Sequence, residues 1–378
     1  MRIKFGDLII GDIAREKINK ALDKNWVTEG ENVREFEEIF AKQFGYKHAI
    51  ATSSGTDACI AALSSLYEFG AKRGDEIIVP ATTFVASANA ILAAGFTPKF
   101  VDIELETLNI NPDKIEDIIT DKTAAIMPVH LMGKPCDMDK ILKISKQHDL
   151  KIVEDCCEAH GAKYKGKYIG TIGDMGVFSF YVAHLVICGE GGMVVTNDDE
   201  IANTVRSVKT HGRPTGSIYF DFQRFGLNLR MNDLTAAIGI EGIINFEKTF
   251  KKRKENMYKL LEMTEDLKDF AYFSKEENYE VICPHAFPMV LKDPKKYDYK
   301  KFYDYMDSNS IQVKTLFASL PTQHRAFEFM NYKPGDFPVA EYIGDNGLHF
   351  GIHQYLTGDD LQYINDVLDN FFKIKILE

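Results

Sequence analysis

The sequence predicts an α/β protein in which a large domain, built on a largely parallel sheet of about seven strands, precedes a smaller α+β domain. Three observations support this. Between residues 48 and 196 short β-rich runs alternate with helical stretches. Those runs are continuously apolar rather than alternating, as strands covered on both faces must be. Beyond residue 245 the alternation gives way to a mixed pattern. The expected strands are 48–52, 76–79, 99–101, 124–128, 151–154, 177–180 and 193–196. Between them, 57–69 and 137–148 read as helices opened by Asp or Thr, side chains that accept from free N–H groups of the first turn. A helical stretch at 232–250 leads into Lys251-Lys252-Arg253-Lys254, which reads as a solvated helix face. New β-like runs follow around 281–291, so the two domains are expected to span 1–245 and 246–378.

Composition narrows the function. The 378 residues are 45% hydrophobic and 27% charged, ample for a buried core and unlike a disordered or fibrous chain. A net charge of −11, from 45 Lys+Arg against 56 Asp+Glu, argues against a nucleic-acid partner held by phosphate neutralisation. The uncharged run 77–98 has the length of a membrane span. Pro80, Thr82, Thr83, Ser87, Asn89 and Gly95 break it into a strand, a turn and a helix, so no membrane association is expected. Residues 1–7 lack the apolar run of a secretory signal, and a cytoplasmic location is expected. The six cysteines, at 59, 136, 156, 157, 188 and 283, form no C-x-x-C pair and no zinc-finger spacing. Neither a metal site nor a structural disulfide is expected.

Several short motifs carry chemistry. Ser53-Ser54-Gly55-Thr56-Asp57-Ala58 follows a strand and opens a helix, where small residues let N–H groups approach an anion, or simply cap the helix. It lacks the Gly-Lys-Ser/Thr ending of a P-loop. Asp155 ends a strand at the carboxyl edge of the sheet, where open α/β sheets bind ligands; it could hold a protonated ring nitrogen or cap the next helix. Ser179 and His184 lie five residues apart across a turn that runs into Gly189-Glu190-Gly191-Gly192.

Taken together with Trp26–Gly30, Pro80–Ala86, Pro128-Val129-His130-Leu131 and Gly226–Asp233, these motifs make the sequence resemble the DegT/DnrJ/EryC1/StrS sugar aminotransferase and dehydratase family, nearly end to end. The resemblance implies the fold type I, aspartate-aminotransferase-like architecture and pyridoxal 5′-phosphate or pyridoxamine 5′-phosphate as cofactor. It implies that Gly55, Thr56 and Ser179 cradle the phosphate, joined by Asn228 from a partner subunit in a homodimer with a shared site. Phe84 would stack on the pyridine ring, Asp155 would pair with its nitrogen, and Glu158 would approach the phenolic oxygen. Thr28, Glu29 and Gly30 resemble a sugar-nucleotide contact loop, and His130 could line the pocket. The departure is His184, which stands where family aminotransferases carry the lysine that binds the cofactor covalently. An imidazole cannot make that bond but can serve as a base, with an unperturbed pKa of about 6.5.

Histidine at this position marks the branch of 3-dehydratases that remove the C3 hydroxyl of nucleotide-linked 4-keto-6-deoxyhexoses. There a base takes a proton from the cofactor's C4′ and water is lost. Some members regenerate pyridoxamine phosphate from glutamate, others through an iron–sulfur cluster. Only Cys283 lies beyond position 188, which disfavours a cluster and points to glutamate, with Arg213 or Arg230 for its carboxylate. Leu185 stands where those dehydratases usually place a second histidine. Two alternatives follow: an aminotransferase-like enzyme acting on another keto sugar, and a non-catalytic protein that has kept the pocket.

Overall fold

The computed structural model describes residues 1–214, 216 and 218–374. The large sheet has seven strands: β1 His48–Thr52, β2 Glu76–Pro80, β3 Thr97–Val101, β4 Thr123–Ile126, β5 Lys151–Asp155, β6 Met175–Ser179 and β7 Gly192–Thr196, in the order β1-β7-β6-β5-β4-β2-β3. Each expected strand is found within a few residues of its place. Their continuous apolarity has the anticipated cause. Ile77, Val79, Val153, Val177 and Val194 enter one core cluster, while Ile78, Ile126, Ile152, Phe178 and Val195 enter another on the opposite face.

Strand β7 alone runs antiparallel to both neighbours. The connection from β6, residues 180–191, is at the lower limit for a crossover and holds no helix, and it makes an antiparallel return instead. With β7 reversed between them, β1 and β6 point the same way, and β5 runs parallel to β6. The carboxyl ends of β1, β5 and β6 therefore share one edge of the sheet.

The helices α1 Asp12–Asp23, α2 Glu31–Phe44, α3 Gly55–Ser65, α4 Val85–Ala93, α5 Met138–His148 and α6 Asp199–Val208 pack around this sheet. The uncharged run 77–98 folds as β2, a turn, α4 and the start of β3. No helix among the described residues is long and apolar enough to cross a membrane. The helical stretch expected at 232–250 is instead two helices, α7 Asp233–Ile244 and α8 Phe246–Met263, broken at Asn245. Asn232 caps α7, its Oδ1 accepting from the Leu234 and Thr235 N–H groups.

The basic run on α8 needs a correction. Arg253 is fully buried, because the helical period puts it on the same face as Phe246, Met257 and Leu260.

A second, antiparallel sheet follows: β8 Ala271–Phe273, β9 Ala286–Leu291, β10 Val313–Thr315 and β11 Gly347–Gly351, in the order β8-β9-β11-β10. Its core gathers Phe287, Phe302, Phe350 and Phe372. Ile3 joins that cluster and bridges to Ile311, tying the chain's first residues to this sheet.

Candidate active site

Where the shared carboxyl edge of β1, β5 and β6 meets the second sheet there is a cavity of about 580 Å³. Seven residues singled out from the sequence line it together: Gly55, Thr56, Phe84, Asp155, Glu158, Ser179 and His184. The topology explains the convergence, since Asp155 and Ser179 end their strands and the other five lie a few residues beyond a strand's carboxyl end.

At one end, β1 runs into α3, whose N-terminus opens on the cavity. Ser54 caps it, its Oγ accepting from the Asp57 N–H at 3.0 Å, and the Ser53 hydroxyl bonds to the Asp57 carboxylate. A Cβ on Gly55 would stand 2.5 Å from Ser179 Cβ, so only glycine lets α3 begin against the end of β6. Gly192 serves similarly on β7: a Cβ there would meet the Ser54 carbonyl oxygen at 2.1 Å. The outcome is a cradle of N–H groups, the Thr56 hydroxyl and the Ser179 hydroxyl at the positive end of a helix, suited to a phosphate.

Further along, Asp155 is almost wholly buried. Its Oδ2 accepts from Ser87 Oγ at 2.7 Å and its Oδ1 from the Cys157 N–H at 3.1 Å. Phe84 is 57% exposed and lines the same space, its ring making a T-shaped contact with Phe317 at 5.6 Å between centroids. An aromatic face left bare inside a cavity awaits a flat partner.

Opposite lies a group of imidazoles. His184 is buried, its N–H donates to the Tyr181 carbonyl at 3.0 Å, and its Nδ1 has no partner. The ring of His285 lies 5.1 Å from it, with Nε2 at 3.7 Å from the Glu158 carboxyl. Burial, reinforced by neighbouring imidazoles and Arg253, drives His184 and His285 well below the ordinary histidine value, so both are neutral at pH 7. Burial also takes His349 down to about 3 and pushes Glu158 up to about 7, although Glu158 accepts from the Met132 N–H at 2.8 Å.

His285, His349 and Lys314 were not legible as site residues. Each is an isolated residue without a motif, delivered by the second sheet, where Lys314 and His349 stand directly opposite across β10 and β11. Arg253 is hidden in the sequence for another reason, since it sits in a basic run that reads as a solvated helix face. Its Nη2 donates to the His184 carbonyl at 3.1 Å, its Nη1 to those of Ala183 at 3.3 Å and His285 at 3.5 Å, and its Nε to Gln354 at 2.8 Å. One guanidinium thus clamps the backbone of both imidazole-bearing segments.

The remaining expected residues lie outside this cavity. His130 is fully buried with both ring nitrogens engaged: Nδ1 accepts from the Cys136 N–H at 3.0 Å and Nε2 donates to Glu154 at 3.1 Å, so it packs rather than lines the pocket. Thr28 is exposed, Glu29 pairs with Lys209 at 3.1 Å, and Gly30 lines a separate depression of about 230 Å³. Arg230 donates to Asn228 Oδ1 at 2.8 Å, and Arg213 faces the Phe220 ring; none of the three lines the cavity of its own chain.

Comparison with known proteins bears on the family and the fold. A sequence profile described as the DegT/DnrJ/EryC1/StrS aminotransferase family matches residues 9–369. The GDP-perosamine synthase of Escherichia coli O157:H7 is 34% identical over 364 residues, covering 96% of each chain. The GDP-4-keto-6-deoxy-D-mannose 3-dehydratase of Escherichia coli O55:H7 is 31% identical over 380 residues, covering 94% of this chain and 97% of its own. A solved GDP-4-keto-6-deoxymannose-3-dehydratase holding a trapped PLP-glutamate geminal diamine matches with a TM-score of 0.88 at 29% identity, over 97% of this chain and 100% of the other. The fold is the aspartate-aminotransferase-like one that the sequence resemblance implied.

Proposed function

The chain belongs to the DegT/DnrJ/EryC1/StrS aminotransferase family, and from that premise we propose that it is a pyridoxal phosphate and pyridoxamine phosphate dependent 3-dehydratase of a nucleotide-linked 4-keto-6-deoxyhexose. The observation that carries this reading is His184: a neutral imidazole with a free Nδ1, facing the cavity at the register of the family's lysine.

The residues fit the cofactor. The α3 N-terminus with Thr56 and Ser179 holds the phosphate, Phe84 covers one ring face, and the buried Asp155 carboxylate holds the pyridine nitrogen in its protonated form. When bound, the cofactor supplies an electron-accepting ring beside the sugar carbonyl carbon. His184 takes a proton at the cofactor's C4′ and returns one to the departing C3 hydroxyl, with its depressed basicity ensuring that it starts deprotonated. Because imidazole forms no covalent bond to the cofactor, the step that a lysine would complete as transamination is disfavoured. Glutamate is the amine source in this reading, which the PLP-glutamate geminal diamine trapped in the solved dehydratase supports. Lys314, the one lysine among the described residues lining the cavity, offers a cation for its carboxylate.

The shared site belongs to the same reading. Asn228 is exposed, near a segment where Ile218 and Phe220 are 83% and 81% exposed and Phe222 and Phe225 more than half exposed. Such an apolar patch suits burial against a second copy.

A second reading is transamination of another keto sugar. It is favoured by the somewhat higher identity to the GDP-perosamine synthase and by Lys314, an amine within the cavity. Mass spectrometry of sugar nucleotides incubated with protein, cofactor and glutamate separates the two. Dehydration coupled to oxidation of pyridoxamine phosphate to pyridoxal phosphate, with ammonia released, gives a ketone lacking one oxygen, its C3 hydroxyl replaced by hydrogen, whereas an amino sugar in its place would overturn the dehydratase reading. His184→Asn should keep cofactor binding while turnover falls by about 10² or more; unchanged turnover would remove His184 from the mechanism.

A further inference from the structure

The folded chain brings together two thiols that the sequence keeps far apart. Cys59 is buried one turn into α3, on the same face as Gly55, and Cys157 is half-buried just beyond β5. Both are free, and both line the cavity. Their sulfurs and a carboxylate oxygen of Asp155 lie within 4.8 Å of one another.

Two sulfurs and one oxygen form a donor set for zinc, cobalt or cadmium, and a poor one for magnesium or calcium. Tetrahedral zinc, with bonds of about 2.3 Å to sulfur, holds two such ligands roughly 3.8 Å apart, within side-chain adjustment of the spacing present. Ser87 and the Cys157 N–H each bond one Asp155 oxygen, which orients the carboxylate yet leaves a lone pair on each oxygen for a cation. The cavity supplies an open fourth position for water.

A second group of the same kind, His130, Glu154 and Cys156, contrasts with it. All three residues are fully buried, and Glu154 already accepts from His130 and from the Gly170, Ile172 and Gly173 N–H groups. Its ligands are spent on the fold.

We propose that Cys59, Cys157 and Asp155 form a binding site for a thiophilic divalent cation such as Zn²⁺, and that its occupation excludes the cofactor because both require the Asp155 carboxylate. The cation site stands on the geometry alone; the exclusion rests on the cofactor reading above.

The test uses full-length protein freed of cofactor and kept reduced with a phosphine. Titration with Co²⁺ should produce the near-ultraviolet absorbance of cobalt–thiolate charge transfer, saturating at one equivalent. Zn²⁺ should abolish it by displacement and release protons from both thiols. Cys59→Ser and Cys157→Ala should each weaken Co²⁺ binding at least tenfold, with circular dichroism and melting used to verify folding. Absence of the band in folded wild-type protein, or its survival in both folded variants, overturns the site. Saturating Zn²⁺ should raise the apparent Kd for pyridoxal phosphate about tenfold or more in wild type and much less in Cys157→Ala. A cobalt band with unaltered cofactor affinity would overturn the exclusion. Failure of the metal-free protein to bind pyridoxal phosphate would overturn the proposed function and the exclusion with it, while leaving the cation site decided by the cobalt band.

Discussion

At the scale of single residues, environment sets Glu158 and His184 apart, and in the proposed function it divides the acid–base work between them. Burial raises the carboxyl to about 7 and sends the imidazole well below its ordinary range. In the proposed function Glu158 approaches the cofactor's phenolic oxygen: below about 7 it is protonated and would donate to that oxygen, and above it an anion would face it. His184 is already a free base throughout this window. We therefore expect kcat/KM to fall as pH rises through about 7, and the fall to flatten in Glu158→Gln, whose amide donates at every pH. A limb unchanged by Glu158→Gln would assign it to another group. His184→Lys supplies the missing amine, and added pyridoxal phosphate should then attach covalently and absorb in the visible. No absorbance change would mean that position 184 does not face the cofactor.

At the scale of elements, α8 controls the loop after β6 through one side chain. Arg253 is fully buried; burial lowers it to about 10, so it is charged at pH 7, and among the described residues no carboxylate pairs with it. Its partners are the carbonyls of Ala183, His184 and His285 and the Gln354 amide oxygen. Arg253→Met would strand those carbonyls without donors, at a cost on the order of 3 kcal/mol, and would free both imidazoles to move. Chemical denaturation should register the loss, and kcat should fall more than KM changes. Arg253→Lys, which restores a charge and some donors, should recover part of both. Activity insensitive to Arg253→Met would make the clamp purely structural.

At the scale of the whole molecule, buried histidines couple folding to pH. His160 and His349 are taken down to about 3, and His184 and His285 are also depressed, all by burial. A group held below its unfolded value contributes stability that is fully present above that value and lost as pH falls. Between pH 6.5 and 5, His160 and His349 should each forfeit on the order of 2 kcal/mol. Glu158, shifted the other way, opposes them as pH falls from 7, but it is one group against four. Tm should therefore drop between pH 7 and pH 5, and a flat or rising Tm would contradict burial of the imidazoles. At the same scale, sedimentation equilibrium should give a dimer, and Phe220→Asp should shift it towards monomer and weaken cofactor binding; a monomeric wild type would refute the shared site.

What the sequence determined by itself was everything governed by chain neighbours. Two-faced burial requires continuous apolar runs, which marked all seven strands, and a residue just after a strand must emerge at the sheet edge. That logic put Gly55, Thr56, Asp155, Ser179 and His184 at or just beyond strand ends, while Phe84 and Glu158 rested on the family resemblance; the fold gathers all seven in one cavity. Tertiary structure alone decided what depends on distant segments meeting. It decided that the second sheet delivers His285, Lys314 and His349 to the same space, that Arg253 faces inward, that His130 turns into the core, and that Cys59 meets Cys157. Periodicity reports which face of an element is apolar, but not which element will cover it, and the burial that sets each group's protonation is a property of that covering.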